Sequence, residues 1–282
     1  QCYLCGGSDF KTREGIVRDK PELSILECKN CGLVFLSDFE HIHNDYYEES
    51  NMTIELNFEQ WLKKSRIDDE RRFDFIKELI VNKDIADFGS GAGGFLISAK
   101  NIARSVVGIE LDNKVVNHYK SKSINYCNDI DNLEDNSLDV ITLFHVLEHL
   151  TDPLSILEKI MSKLKVGGRV IIEVPNANDA LLTVYKNKAF SEFTYWSPHV
   201  FLYSKSTLEL LFRKMDNTKV EFIKHIQRFP LSNHLYWLSN NKPGGHQVWG
   251  NFIDSAILNE SYASQLAAIE ATDTIIAQII KE

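Results

Sequence analysis

The stretch Asp87-Phe88-Gly89-Ser90-Gly91-Ala92-Gly93-Gly94-Phe95 decides how this chain is read. A short apolar run, Ile85-Ala86-Asp87-Phe88, leads into it, and an apolar-periodic segment, 93–103, leads out. That order predicts a strand, a glycine loop and a helix. Glycines at such a junction let the backbone approach a ligand, and the first helical amides stay free to donate hydrogen bonds. Glu110 ends the next apolar run, 105–109, 21 residues after Gly89. An acid there accepts hydrogen bonds from ribose hydroxyls, which implies an adenosine-type cofactor. Gly89, Gly91 and Gly94 also satisfy G-x-G-x-x-G, so a dinucleotide enzyme is a competing reading. Three features lean away from it, one being that the fourth strand runs into Phe144-His145-Val146-Leu147-Glu148-His149-Leu150. Asp87 stands two residues before the first glycine, in reach of an amino-acid end of a cofactor. Asn128-Asp129 follows the third strand, placed to meet an adenine amino group.

Outward from this loop the pattern repeats. Strands are expected at 85–88, 105–109, 124–127, 138–144 and 169–174, with helices at 93–103, 113–122 and from Asp152-Pro153 to Leu164. Gly167-Gly168 is expected to end the turn before the fifth strand. The run 138–144 is strongly apolar, as in a strand buried on both faces. Strand alternating with helix means an α/β fold with a doubly wound, mostly parallel sheet. Upstream, 58–81 reads as a helix broken near Ser65. Downstream, Ser206-x-x-Glu209 reads as a capping box for a helix to Lys214, followed by a strand at 220–227. Helices are expected at 231–239 and 254–271, and Thr274 to Ile280 as a last, buried strand.

Four of the five cysteines form two C-x-x-C-G units, Cys2-Cys5-Gly6 and Cys28-Cys31-Gly32. Four thiolates can close a tetrahedral zinc site with no open position, which makes the metal structural. The alternatives are a redox pair or unrelated thiols. Runs 23–27 and 33–35 alternate like the strands of a zinc ribbon. Cys127 stands apart in an apolar segment and reads as a buried thiol. Composition adds bounds: 282 residues, 44% hydrophobic, 25% charged and a net charge of −9. These exclude low-complexity and wholly disordered chains and argue against nucleic acid or anionic membrane as partner. No 18-residue apolar run and no secretory signal are seen, so a cytoplasmic location is expected.

With these residues in hand, the chain resembles a family. D-F-G-S-G-A-G-G-F, G-I-E-L-D, F-H-V-L-E-H-L-T-D-P and L-K-V-G-G-R-V-I-I-E-V-P-N look like successive motifs of class I S-adenosylmethionine (SAM) dependent methyltransferases, across 84–176. The front end, C-Y-L-C-G-G … C-K-N-C-G-L-V-F … Y-Y, resembles a bacterial subgroup with an N-terminal zinc-binding module, whose members include sugar and natural-product methyltransferases. The longer sugar C-methyltransferases carry a further C-terminal domain that a chain of this length is expected to be too short to hold. The resemblance implies a seven-stranded Rossmann-like sheet with a small zinc ribbon at 1–45, a helical connector at 46–82 and a methyltransferase domain at 83–282. Lid or helical insertions fall at 177–203 and 230–271. It implies SAM and a structural Zn2+ as cofactors. Gly89, Ser90, Gly91 and Gly93 would line the methionine part, with Asp87 near its amino group. Glu110 would hold the ribose, Leu111 pack on adenine, Asp129 and Ile130 meet its edge, and Phe144 and His145 lie beneath the sulfonium.

The implied reaction is O-methylation of a small polar acceptor, a sugar or nucleotide-activated sugar, in surface-polysaccharide or natural-product biosynthesis. Proton removal from oxygen calls for a base, and histidine is the usual one at neutral pH. His145 closes the fourth strand, and His199 lies in the aromatic run Tyr195-Trp196-Ser197-Pro198-His199. These two rank first, with His234 and His246 behind them. His149 reads as a helix-start hydrogen bond. Tyr47, Tyr195, Trp196, Tyr203 and Trp237 are the candidate substrate-binding aromatics. Lys242-Pro243-Gly244-Gly245 reads as a turn or as a phosphate grip. Two other functions compete: an RNA methyltransferase gripping RNA with its ribbon, and a SAM-binding protein without turnover. Residues 1–49 carry ten acids against five lysines and arginines, which penalises phosphate.

Overall fold

The computed structural model describes residues 1–42 and 57–282. Tyr47 lies outside the described residues. Three short strands open the chain: β1 (Phe10–Thr12), β2 (Ile25–Cys28) and β3 (Val34–Leu36). A long helix, α1 (Phe58–Ile80), follows. The alternating part then runs β4 (Asp84–Phe88), α2 (Gly94–Ala99), β5 (Ser105–Ile109), α3 (Val115–Lys122), β6 (Asn125–Cys127), β7 (Leu138–Phe144), α4 (Pro153–Lys163) and β8 (Leu164–Pro175). The final third holds α5 (Ala180–Thr183), α6 (Lys188–Thr194), β9 (Phe201–Leu202), α7 (Lys205–Phe212), β10 (Thr218–Ile226), α8 (Leu231–Asn240), α9 (Gly245–Val248), α10 (Gly250–Ile253), α11 (Ala256–Ala268) and β11 (Thr274–Lys281).

The main sheet has seven strands in the order β10-β11-β8-β7-β4-β5-β6. β4 to β8 are parallel, whereas β11 runs antiparallel to both β8 and β10. From β4 the chain winds outward through β5 and β6, then returns to β7 on the other side of β4. That reversal opens a crevice at the carboxyl ends of β4 and β7, where open α/β sheets bind ligands. β7 and β8 are central, and Ile141, Leu143, Val170, Ile171, Ile172 and Val174 are fully buried between the helix layers. Asp152 caps α4 by accepting from the Ser155 amide, with Pro153 at the first helical position.

Four local expectations are corrected. α1 is unbroken, because Ser65 donates to Asp69 (2.6 Å), one turn on, and stays within helical geometry. β8 begins at Leu164 and carries Gly167-Gly168 within it, the irregularity being absorbed as a register shift against β7. The capping box is built by Ser204 and Thr207, two residues before the expected one, so α7 starts at Lys205. The cysteine-bearing sheet is not closed by its own strands: it has the order β1-β2-β3-β9, and β9 comes from the insertion after β8. Cys2, Leu4, Cys28, Leu33 and Phe35 accordingly share one core with Leu147, Val200, Phe201 and Tyr203.

Candidate active site

The glycine loop leaves β4 through three left-handed residues, Gly89 (φ +72°), Gly91 (+52°) and Gly93 (+71°). A side chain at Gly89 would strike Val146 at 2.5 Å, and one at Gly91 would strike Trp61 of α1 at 2.7 Å. The loop therefore touches both the segment after β7 and the helix before β4. Glu110 turns towards the loop and accepts from the Gly91 amide (2.8 Å) and the Asp112 amide (3.3 Å). A carboxylate has about four lone-pair positions, so acceptor capacity remains. Burial, opposed in part by these amides, raises the Glu110 carboxyl. Ser90 receives the Tyr119 hydroxyl at 2.7 Å. Asp87 is buried and accepts from Thr142 (2.6 Å); burial pushes its carboxyl up to about 7. Leu111 is exposed, Asp129 caps a single 3-10 turn over Ile130–Asn132, and Ile130 is buried.

Beyond β7 the chain turns sharply. His145 takes φ +57°, a strained conformation for a side-chain-bearing residue and a frequent mark of functional sites. Phe144 packs edge-on to Phe95 (5.2 Å) under the Arg72 guanidinium (4.7 Å). His145 Nε2 lies 3.0 Å from Arg228 Nη1 and 3.3 Å from Glu173 Oε1, and its Nδ1 lies 3.2 Å from Glu148 Oε1. Arginine can only donate and a carboxylate can only accept, so Nε2 serves either Arg228 or Glu173, while Nδ1 faces the Glu148 carboxylate. Glu173 is fully buried and takes four hydrogen bonds from Arg71 and Arg72. Burial opposes its ionisation, yet these partners and His145 hold it well below the usual range. Burial likewise opposes ionisation of Glu148, and the hydrogen bond and charge of His145 outweigh it, holding that carboxyl at about 2.

The insertion brings its histidine to this point. Glu148, His149 and His199 present ligand atoms all within 4.8 Å of one another, and the two imidazoles meet edge-on at 4.7 Å. Burial pushes His199 down to about 3, aided by its neighbour His149. The loop holding His199 is clamped from the N-terminal module. Asp19 accepts from both the amide (3.0 Å) and the hydroxyl (2.7 Å) of Ser197, and Arg18 lies over the Trp196 ring at 4.6 Å.

The other candidates lie elsewhere. Tyr195 is buried beside Gly15 in a satellite core, and Tyr203 is buried in the main core. Trp237 packs on Phe190 and Phe193. His234 is buried between the Tyr262 hydroxyl (2.8 Å) and Gln227 (3.2 Å), and burial pushes it down to about 4. His246 stands against Phe229 (5.6 Å). Cys2 and Cys31 sulfurs lie 3.5 Å apart, as do those of Cys5 and Cys28, and all four form one cluster that could hold a metal. Gly6 (φ +68°) and Gly32 (+80°) donate back to Cys2 and Cys28 in the same turn twice over. Sequence reasoning missed Arg71, Arg72, Asp68 and Arg228. Their helical and post-strand positions look like solvated charge, and only the fold brings them to Glu173.

A doubly wound sheet with a glycine loop and a ribose-type acid at its switch point defines the class of nucleotide-cofactor enzymes. The profile of the methyltransferase-domain family matches residues 58–221, and the chain belongs to that family. SAM as methyl donor follows from membership. Among curated relatives, a ubiquinone biosynthesis O-methyltransferase of Hydrogenovibrio crunogenus is 28% identical over 53% of this chain and 64% of its own length. One from Cupriavidus pinatubonensis is 29% identical over 35% and 44%. The chain thus spans less than two thirds of these relatives. Among solved structures, a SAM-dependent methyltransferase of Thermotoga maritima shares the fold with a TM-score of 0.51 at 20% identity, covering 80% of this chain and 94% of that one. A chain of the Haloferax volcanii complex between the Trm112 methyltransferase activator and a methyltransferase gives 0.53 at 14%, covering 79% and 95%.

Proposed function

We propose that this enzyme moves a methyl group from SAM to a hydroxyl of a small polar acceptor, a sugar or nucleotide-activated sugar in surface-polysaccharide or natural-product biosynthesis. The observation that carries the reading is the meeting of His145, Glu148 and His149 with His199, beside the glycine loop. SAM supplies an electrophilic methyl on a sulfonium; the chain supplies position. Gly89, Ser90, Gly91 and Gly93 would hold the methionine part, with Asp87 facing its ammonium. Glu110 would take the ribose hydroxyls, and Leu111, Asp129 and Ile130 the adenine. The acceptor would lie between Phe144-His145 and the insertion, where the half-buried Trp196 offers a flat face to a sugar ring. His145 and His199 would orient the acceptor hydroxyl, and their glutamine variants should lose about 10²–10⁴-fold in turnover with SAM affinity near normal. The four cysteines would hold one structural zinc.

A second reading, a phenolic acceptor, is favoured by the names of the O-methyltransferase relatives. RNA is disfavoured: Lys11 and Arg13 pair with Glu27, and Lys29 with Asp9, leaving the ribbon little spare positive charge. The test is incubation with trideuteromethyl-SAM and three acceptor sets: sugar nucleotides, dihydroxyphenols and RNA. A mass shift on a sugar hydroxyl is expected. Label found only on phenols would move the reading to the second class, and label found only on RNA would overturn it.

A further inference from the structure

Methyl transfer as proposed gives Glu148 and His149 no chemical role of their own, yet with His199 they form a donor set that could hold a metal ion. Glu148 is fully buried in the 3-10 turn Leu147–His149, and only its Oε1 is engaged, by His145. Its Oε2 has no hydrogen-bond partner among the described residues. A buried carboxyl oxygen left this way is costly, and native structures pair such atoms or bind them to a metal. The Tyr203 hydroxyl is a second buried polar atom without a partner there, and it lies within electrostatic reach of Glu148. His149 donates one ring N–H to the Pro198 carbonyl. That bond sets the tautomer, so the other ring nitrogen carries the lone pair. A carbonyl behind an imidazole and a histidine behind a carboxylate are the supports metal-binding side chains commonly have.

We propose that Glu148, His149 and His199 bind one divalent transition-metal ion, separate from the four-cysteine site. Two imidazoles and a carboxylate suit zinc, cobalt, manganese or iron(II), whereas magnesium and calcium prefer oxygen alone. The donor atoms lie within 4.8 Å of one another, and an ion between them would draw them to bonds of about 2.0–2.2 Å. Three protein ligands leave positions for water or an acceptor oxygen. An ion there would lower the pKa of a hydroxyl bound to it. The hydroxyl proton would leave to solvent, the oxygen pair would form the C–O bond, and the methyl–sulfur bond would break with its pair on sulfur. This role at the acceptor rests on the proposed function; the ion site does not.

The test uses full-length protein with zinc in its cysteine cluster, titrated with Co2+ by calorimetry and visible absorption. We expect one further Co2+ per chain with no sulfur-to-cobalt charge transfer. Its affinity should fall at least about tenfold in Glu148→Gln and in His199→Gln, with far-UV dichroism and bound zinc unchanged. Should Glu148→Gln not fold, His199→Gln carries the test. No binding beyond the cysteine cluster, or equal binding by the variants, overturns the site. Normal binding with turnover indifferent to the ion removes its role at the acceptor. Normal binding without any methyl transfer counts against the proposed function instead.

Discussion

Asp87, proposed to face the ammonium of SAM, also bears on stability. Burial pushes its carboxyl from the ordinary 3.8 to about 7, with the charges of Asp69 and Glu110 adding to the effect and Thr142 and Arg72 opposing it. The folded state therefore keeps a proton, across roughly pH 4 to 7, that the unfolded chain has released. Stability from this group falls as pH rises through that window, by up to about 4 kcal/mol, and levels off above it. Asp87→Asn should thus melt higher than the natural protein at pH 8, with the advantage shrinking towards pH 5. A difference in melting temperature that stays constant with pH would show that Asp87 is ionised throughout. His145 sits at the same scale. Its positive φ, its bond to Glu148 and its contact with Arg228 mean that neither ring nitrogen is idle, so it acts as part of a network.

At the scale of elements, the N-terminal module and the insertion after β8 behave as one unit. β9 completes the sheet of β1 to β3, and Asp19 and Arg18 hold the loop 196–199. Asp19→Ala removes two hydrogen bonds to a charged acceptor, worth about 1.5–3 kcal/mol each before relaxation. It should lower turnover while leaving the SAM dissociation constant nearly unchanged, and steady-state kinetics beside calorimetry would show the split. Equal losses in both would mean the module supports the whole domain and not that loop. Elements of regular period were readable in advance. β5 and β7 stand at the residues expected, because short, mostly apolar and β-branched runs of five and seven residues between acids and turns admit little else. β9 was not readable. Two residues carry no period, and β9 exists because β3 offers an edge. The cysteine pairs announced through spacing that their four sulfurs gather in one cluster, and the glycine loop announced the turn that leaves β4. The Arg71, Arg72, Glu173 and Arg228 network did not announce itself, since charges from three distant segments meet only after the sheet forms.

For the whole molecule, the sharing of one core between the cysteine cluster and the loop after β7 has a thermodynamic consequence. Metal bound by folded cysteines stabilises the fold through linkage. Removing the zinc proposed for the cysteine cluster with a chelator at neutral pH should lower the melting temperature of a single transition and abolish turnover with it. Two separated transitions in scanning calorimetry, with the upper one insensitive to chelator, would show the module to be an independent appendage. No helix among the described residues is long and apolar enough to cross a membrane.

The central claim is that the crevice at the carboxyl ends of β4 and β7 holds SAM, with Glu110 on the ribose. Calorimetric titration with S-adenosylhomocysteine, SAM and NAD tests it most directly. The account predicts one site per chain for the first two, a loss of about 1.5–3 kcal/mol in Glu110→Ala, and no heat with NAD. Saturable binding of NAD with none of SAM, or SAM binding untouched by Glu110→Ala, would contradict it.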